Sequence, residues 1–377
     1  MNNYSIPKLP LHIDLETKAI LKQLNLANKQ LAELKGVAQT IPNETILINS
    51  LTLQEAKDSS EVENIVTTHD ELYRADLDIH KAIISASTKE VLNYRQAIQT
   101  GFTLIRKNKL LTNNVIKNIQ QILEENSAGF RAVPGTMLKN SKGEIIYTPP
   151  QDKQIVEQTM ENLEQYINDS SMSDIDPLIK MAIIHHQFES IHPFYDGNGR
   201  TGRIISILYL VANDLLDLPI LYLSRFITHN KGEYYRLLQD VREVEDNAPQ
   251  WEAWILFMLK GVEETAKETI RLVKGIAFLM NEYKQILRPL FAKQYRHELL
   301  NNLFFHPYTK IDFVQRDMMV QRKAAAKYLD MIVASGLMEK IKIGRTNYYM
   351  NTKLIELFVN HVTILNSDIE SIESVHE

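Results

Sequence analysis

An imidazole, a carboxylate and two guanidiniums fall within twelve residues of this chain, at His192, Asp196, Arg200 and Arg203, around the turn Gly197-Asn198-Gly199. Successive glycines let backbone N–H groups converge into an anion-binding concavity. A helix beginning near Gly199 or Arg200 adds its positive end to the same place. Arg200 and Arg203 are three apart, so on that helix they share a face and could clamp the β- and γ-phosphates of a nucleotide. Asp196, beside the turn, suits Mg²⁺ bridging phosphates, an ion that needs only one or two protein carboxylates. His192 titrates near neutral pH and could take a proton from an attacking hydroxyl. Each residue alone has a plainer reading: a His before Pro is usually structural, Asp-Gly-Asn-Gly suits a solvent loop, and two arginines suit a solvated face. Their co-occurrence favours chemistry. No packing demand calls for Asp-Gly-Asn-Gly-Arg, three of whose residues weaken a helix or strand.

The elements that must position this run are mainly helical. Leu15, Ile20, Leu24, Leu31 and Leu34 recur near helical spacing, with Gly36 as a C-terminal stop and Pro42 opening a loop. Val91 to Arg106 and Asn114 to Leu123 read as further helices. Phe130-Arg131-Ala132-Val133-Pro134-Gly135 breaks the pattern and leads into a hairpin over Thr136 to Tyr147, its tip at Asn140-Ser141-Lys142-Gly143. Pro149-Pro150 ends it. Helices resume from Asp152, as N-cap, to Ile167, and from Asp176-Pro177 through Glu189, with Pro177 fitting the first turn. After the glycine turn, Ile204, Ile205, Leu208, Leu210 and Val211 restore an apolar helical pattern.

At 377 residues the chain is long enough for two or three units. Hydrophobic content of 44% and charged content of 24% are those of a soluble globular protein. The absence of cysteine excludes a disulfide scaffold, thiolate zinc sites and a cysteine nucleophile. Met1 to Leu15 lacks a basic region followed by an apolar core, and no apolar run reaches membrane length. A cytoplasmic protein with no membrane partner is expected. The net charge of −5 is unevenly spread: residues 293–353 hold 11 Lys and Arg against 5 Asp and Glu, whereas residues 354–377 hold 5 acids and no Lys or Arg. A basic segment of this kind could meet nucleic acid.

The run from His192 to Arg203 resembles the signature of the Fic (filamentation induced by cAMP) family, His-x-Phe-x-Asp/Glu-Gly-Asn-Gly-Arg-x-x-Arg, at every specified position. The hairpin through Thr136–Tyr147 with Pro149-Pro150 looks like that family's flap. Tyr234-Tyr235-Arg236-Leu237-Leu238 and Trp251-Glu252-Ala253-Trp254-Ile255 resemble its later helices, so the resemblance runs from the N-terminus to about Lys274. It implies a mainly α fold, a Fic helical bundle with a small β-hairpin flap. It also implies transfer of AMP from ATP to a Ser, Thr or Tyr hydroxyl of a protein substrate, with pyrophosphate released.

By that resemblance His192 deprotonates the target hydroxyl and Asp196 holds Mg²⁺ on the α- and β-phosphates. The N–H groups around Gly197, Asn198 and Gly199 bind phosphate oxygens, with Asn198 on the α-phosphate, while Arg200 holds the β-phosphate and Arg203 the γ-phosphate. Thr201 and Gly202, inside the same signature, count with the nucleotide site. Tyr235 is expected near the adenine, and Tyr234 reads better as core. Such transfer depends on positioning and charge neutralisation more than on covalent chemistry. An exposed flap strand could take the target by main-chain pairing, with Met137 and Lys139 as contacts. A homodimer is a family-level expectation.

Ser59-Ser60-Glu61-Val62-Glu63-Asn64 resembles the family's inhibitory motif, Ser/Thr-x-x-x-Glu-Gly/Asn, in the class whose inhibitory helix is N-terminal. The resemblance implies that Glu63 pairs with Arg203 and keeps it from the γ-phosphate, a geometrically specific contact. The same residues also fit a capping box, Ser60 at N-cap and Glu63 at N3, and both readings stay open.

Beyond Lys274 the composition changes. Gln294 to Leu303, Ile311 to Met319 and Lys323 to Ser335 read as helices, Gly336 stops the third, and Met338 to Met350 alternates as a hairpin turning at Gly344-Arg345-Thr346-Asn347. Three helices followed by a hairpin resemble a winged helix. Arg322, Lys323 and Lys327 then start the recognition helix and Arg345 sits at the wing tip, where DNA phosphates would be met; a protein-binding or dimer-supporting role competes with this. The expected division is 1–110 as an N-terminal helical region with the inhibitory helix, 111–274 as catalytic core, 275–360 as a winged-helix-like domain and 361–377 as an acidic tail. Besides a self-inhibited AMP transferase, the sequence accommodates a nucleotide-responsive DNA-binding regulator, or a de-AMPylating hydrolase in which Glu63 positions water.

Overall fold

The computed structural model describes residues 4–78, 85–140, 142–244, 247–343 and 346–360. The acidic stretch 361–377 and the turn residues Ser141, Gly344 and Arg345 lie outside the described residues. Helices dominate, as the resemblance implies. α1 (Lys18–Ala38), α2 (Glu44–Val62), α3 (His69–Asp78), α4 (Ala86–Asn108) and α5 (Asn113–Glu124) precede a hairpin of β1 (Leu138–Lys139) and β2 (Ile145–Tyr147). There follow α6 (Lys153–Asn168), α7 (Pro177–Ile191), α8 (Asn198–Ala212), α9 (Leu223–His229), α10 (Lys231–Glu243) and α11 (Ala248–Phe291). The last group is α12 (His297–Phe305), β3 (Tyr308–Thr309), α13 (Ile311–Met318), α14 (Arg322–Ala334), β4 (Glu339–Ile343), β5 (Thr346–Met350) and α15 (Thr352–Asn360). Among the described residues no helix is long and apolar enough to cross a membrane. Contacts gather the described residues of 4–35, 51–66 and 89–267 into one compact unit, and those of 36–50, 67–88 and 268–360 into another.

The first unit is built around α7 and α8, which pack along one another with α5 and α6 alongside. Asp176 caps α7 by accepting the Leu178 N–H at 2.8 Å, and Pro177 occupies the first turn, where its missing donor is harmless. Every residue of α7 from Leu178 to Ile191 is buried, and α8 is buried except at Gly199 and Ala212. Helices covered on all sides belong at the centre of a bundle. Their polar groups are answered internally: the His185 ring meets Ser206 Oγ at 3.0 Å and Tyr234 Oη at 2.8 Å, and Trp254 donates to the Ala182 carbonyl at 2.8 Å.

Two expectations change here. α1 does not stop at Gly36 but runs to Ala38, its last turn closed by Gln39 N–H to the Gly36 carbonyl and Thr40 N–H to the Val37 carbonyl. Gly36 is exposed, and a single exposed helical glycine costs only about 1 kcal/mol, too little to end a helix whose apolar stripe continues to Ala38. Likewise α11 passes through Lys274 unbroken for 44 residues, because Val273 and Ile276 carry its buried stripe across the compositional change.

From α12 onward the second unit runs α12–β3–α13–α14–β4–β5–α15, and its antiparallel sheet runs β3-β5-β4. The Tyr283 hydroxyl on α11 ties this unit together, donating toward the Leu337 carbonyl at 2.6 Å and Asn351 Oδ1 at 2.7 Å. β3 gave no sequence signal, since two residues after Pro307 are too few to alternate. The helix expected from Gln294 begins instead at His297, after a short 3₁₀ turn. Arg322 pairs with Asp312, Arg316 with Asp317 at 2.7 Å and Lys340 with Asp330 at 2.7 Å, while Lys323 and Lys327 are exposed.

Candidate active site

His192 is the residue at which α7 stops. Its backbone turns into the left-handed region, φ 49 and ψ 58, and its N–H closes the helix on the Phe188 carbonyl at 2.9 Å. A non-glycine residue in that region needs outside support. Arg131 supplies it: Nε donates to the His192 carbonyl at 2.8 Å, Nη2 to the Ile191 carbonyl at 3.2 Å, and the Arg131 N–H to the Pro193 carbonyl at 2.8 Å. Burial first, then the Arg242 and Arg131 charges, push the His192 imidazole down to about 3, against the pull of the Glu189 carbonyl. The ring is therefore neutral at physiological pH. Its Nδ1 is buried.

The turn that follows is braced from within. Phe194 is fully buried against Phe130 and Phe188 and so fixes the loop. The Asn198 amide bridges the loop, accepting the Phe194 N–H at 2.8 Å and donating to the Phe194 carbonyl at 2.9 Å. Gly197 takes φ 75 and Asn198 begins α8, one residue before the expected start. Asp196 is exposed, its Oδ1 accepting the Gly197 N–H at 2.7 Å and its carbonyl receiving Gln120 Nε2 at 3.3 Å. The first N–H groups of α8 have no acceptor inside the helix and face the turn. A carboxylate from elsewhere in the chain lies there: a Cβ on Gly199 would collide with Glu63 Oε1.

Arg200 and Arg203, expected to share a face, reach different acids. Arg203 is wholly buried; Nε donates to Ser59 Oγ at 2.7 Å, and Nη2 to the Ser59 carbonyl and to Glu63 Oε1, both at 3.0 Å. Burial would lower its pKa, but the Glu63 carboxylate and the Tyr94, Tyr234 and Tyr235 hydroxyls overcome this and raise it. Arg200 donates to Glu90 at 3.0 Å and to Glu124 at 2.9 Å. The capping-box reading of Ser60 and Glu63 fails. α2 ends at Val62, so Ser60 lies in its last turn and Glu63 beyond its C-terminus. Asn64, at φ 63, is the left-handed residue that ends the helix, with the Ile65 N–H returning to the Ser60 carbonyl at 2.9 Å. Every specified position of Ser59-x-x-x-Glu63-Asn64 is thus accounted for, since Ser59 and Glu63 receive Arg203 and Asn64 turns the chain.

Thr201 and Gly202 are not brought to the open face of the turn. Thr201 is wholly buried, and Gly202 lies against Glu189, whose Oε1 is 2.8 Å from where a Cβ would stand. Tyr234 is core, 1% exposed, while Tyr235 keeps an exposed face beside it. The hairpin is pinned to the last turn of α7 by Tyr147, whose hydroxyl donates to the Ser190 carbonyl at 2.7 Å, and Arg242 stacks 4.2 Å from the Tyr147 ring. Met137 is exposed at its base. Among the described residues no group of three or more His, Asp or Glu is arranged to hold a metal ion, so a metal at Asp196 would draw its other ligands from phosphate and water. Arg131, Glu90, Glu124 and Arg242 belong to neither sequence motif. Their spacing from the signature carries no local signal, and only the fold brings them there.

Three family models match the chain: Fic/DOC family N-terminal over residues 21–103, Fic/DOC family over 110–210, and the protein adenylyltransferase SoFic-like C-terminal domain over 279–354. Protein adenylyltransferase fic-1 of Caenorhabditis elegans is 32% identical over 94 residues, 24% of this chain and 17% of that protein. A probable protein adenylyltransferase of Aquifex aeolicus is 27% identical over 204 residues, 52% of this chain and 57% of that protein. The chain therefore spans less than two thirds of these curated relatives. Among solved structures, a Fic family protein of Desulfovibrio desulfuricans superposes with a TM-score of 0.55 at 16% identity, over 91% of this chain and 97% of that one. Fic-1 of C. elegans superposes at 0.51 with 19% identity, over 66% and 71%. Matched along its length by three successive Fic models and sharing their fold, the chain belongs to the Fic/DOC family.

Proposed function

We propose that this protein transfers AMP from ATP to a hydroxyl of a protein substrate, and that Glu63 holds the reaction off by occupying Arg203. The observation that carries this reading is the convergence of a neutral His192, the exposed Asp196 carboxylate and the N-terminus of α8 on one turn, with Arg203 engaged by Glu63 beside it. The target hydroxyl oxygen would bond to the α-phosphorus as the bond to the β-phosphate oxygen breaks, pyrophosphate leaves, and the proton passes to His192 Nε2. Mg²⁺ held by Asp196 would neutralise the α- and β-phosphates. Asp196 suits that role, being exposed and anchored through Oδ1 alone. The nest N–H groups would take the α-phosphate oxygens, Arg200 the β-phosphate and Arg203 the γ-phosphate, with Tyr235 against the adenine. ATP as donor points to the cytoplasm as the place of work.

For residues 275–360 we infer a winged-helix-like module, from the order of helices and strands and the β3-β5-β4 sheet. Arg316, Arg322 and Lys340 already answer aspartates, which favours a protein contact over DNA. The transferase reading is tested by incubating wild type, Glu63→Gly and His192→Ala with Mg²⁺, α-labelled ATP and cell lysate. Label on protein with Glu63→Gly and none with His192→Ala supports it. No label from Glu63→Gly, despite measurable ATP binding, overturns it.

A further inference from the structure

The carboxylate over Gly199 has a counterpart that neither motif contains. Glu124 is the last residue of α5, and its side chain reaches across to Gly197, where a Cβ would collide with its Oε1 and crowd its Cδ. From there Oε1 accepts Arg200 Nη2 at 2.9 Å. The Arg200 side chain is 5% exposed and that of Glu124 15%, so this pair is largely out of water. Glu90, which takes Nη1 at 3.0 Å, is 41% exposed and contributes less. The two glycines of the phosphate-binding turn therefore each carry a carboxylate of the chain itself.

We propose that Glu124 is a second brake, holding Arg200 where a nucleotide β-phosphate would sit, and that ATP must displace it before seating. This inference rests on the nucleotide reading of the turn given above. Glu124 comes from α5 and Glu63 from the end of α2, so releasing one leaves the other in place. Burial raises the Glu124 pKa, the Arg200 charge opposes this, and the Asp196, Glu90 and Glu63 charges add to the rise. An incoming polyphosphate and this carboxylate compete for one guanidinium, so the neutral isostere at 124 frees Arg200 without changing the shape of the site.

The test measures the dissociation constants of Mg·ATP, Mg·ADP and AMP by calorimetry for wild type, Glu63→Gly, Glu124→Gln and the double variant. Glu124→Gln is expected to tighten ATP and ADP by about tenfold in either background, the scale of one charge-assisted hydrogen bond. AMP, which has no β-phosphate, is expected to bind all four equally. Unchanged ATP affinity on adding Glu124→Gln to Glu63→Gly overturns the second brake and leaves the transferase reading intact. Weaker affinity also overturns it, making Glu124 a support for Arg200. ATP binding to none of the four proteins overturns both readings. Should Glu124→Gln not fold, Glu124→Asp, which withdraws the carboxylate by one methylene, reads the same competition.

Discussion

Glu63 Oε1 receives a hydrogen bond from Arg203 Nη2 at 3.0 Å across 140 positions of sequence. The two partners are unequal: the Arg203 side chain is 1% exposed and that of Glu63 34%. The arginine is fixed by its surroundings, and the glutamate is the partner free to leave. If Glu63 is the brake proposed above, this geometry would release it by moving the end of α2, not by moving α8.

Replacing Glu63 by glycine removes one charge-assisted hydrogen bond, worth roughly 1.5–3 kcal/mol, and clears the space over Gly199. ATP affinity and label incorporation are both expected to rise by about tenfold or more. Equal labelling by wild type and Glu63→Gly would sink the brake while leaving the fold unquestioned.

Ser59→Ala tests the other half of the same contact. It deletes the acceptor of Arg203 Nε but leaves the Ser59 carbonyl and Glu63 in place. A buried donor left unpaired costs about 1–3 kcal/mol. Thermal stability is therefore expected to fall by several degrees, with label incorporation rising only a few-fold because Glu63 still blocks. Full activation by Ser59→Ala would show that Ser59, not Glu63, carries the inhibition.

Asn64 holds φ 63, where a β-branched residue is strained by about 1–2 kcal/mol and glycine is not. Asn64→Gly should retain wild-type stability and a low labelling rate. Asn64→Val should lower the denaturant midpoint and raise labelling, because the chain can no longer turn Glu63 onto Arg203. Identical behaviour of the two variants would dissociate the turn from the brake.

What the sequence made legible was local. Asp176-Pro177 announced α7, Asp152 announced α6, and Gly197 with Asn198 announced the start of α8, because caps and turns are written in adjacent residues. The long-range partners were not readable. Arg131 lies 61 positions from His192, and Glu124 lies 76 from Arg200, distances at which no spacing rule operates. Ser60 and Glu63 show the opposite failure. Their spacing matched a local rule, but the helix lies on the other side of them, and the motif serves an arginine on α8.

If His192 is the general base proposed above, depression of its pKa to about 3, by burial and then by Arg242 and Arg131, would set the acid side of the rate profile. A general base is lost when it is protonated, so the loss comes as pH falls through the folded-state value, well below the ordinary histidine range near 6.5. With Glu63→Gly, kcat/KM is expected to hold from pH 7.5 down to about 5.5, with no limb at about 6.5. The unfolded chain, in contrast, binds that proton near pH 6.5. The stability His192 contributes is therefore present above roughly 6.5 and declines as pH falls toward 3. A rate limb at about 6.5 would mean that the imidazole is solvated when it works.

Arg131 decides whether His192 is held or merely present. Its guanidinium bridges the Ile191 and His192 carbonyls while its own N–H holds Pro193, so one buried residue fixes three consecutive backbone groups around a left-handed histidine. Lysine carries the charge but lacks the planar fork, and reaches one carbonyl at a time. In the Glu63→Gly background, Arg131→Lys should leave the ATP dissociation constant unchanged, since the glycine turn is braced separately by Asn198. The rate at saturating ATP should fall by about tenfold or more, because small misplacements of a reacting group are penalised steeply. A rise in the ATP dissociation constant with an unaltered rate would instead assign Arg131 to the nucleotide, and leave the backbone of His192 self-supporting.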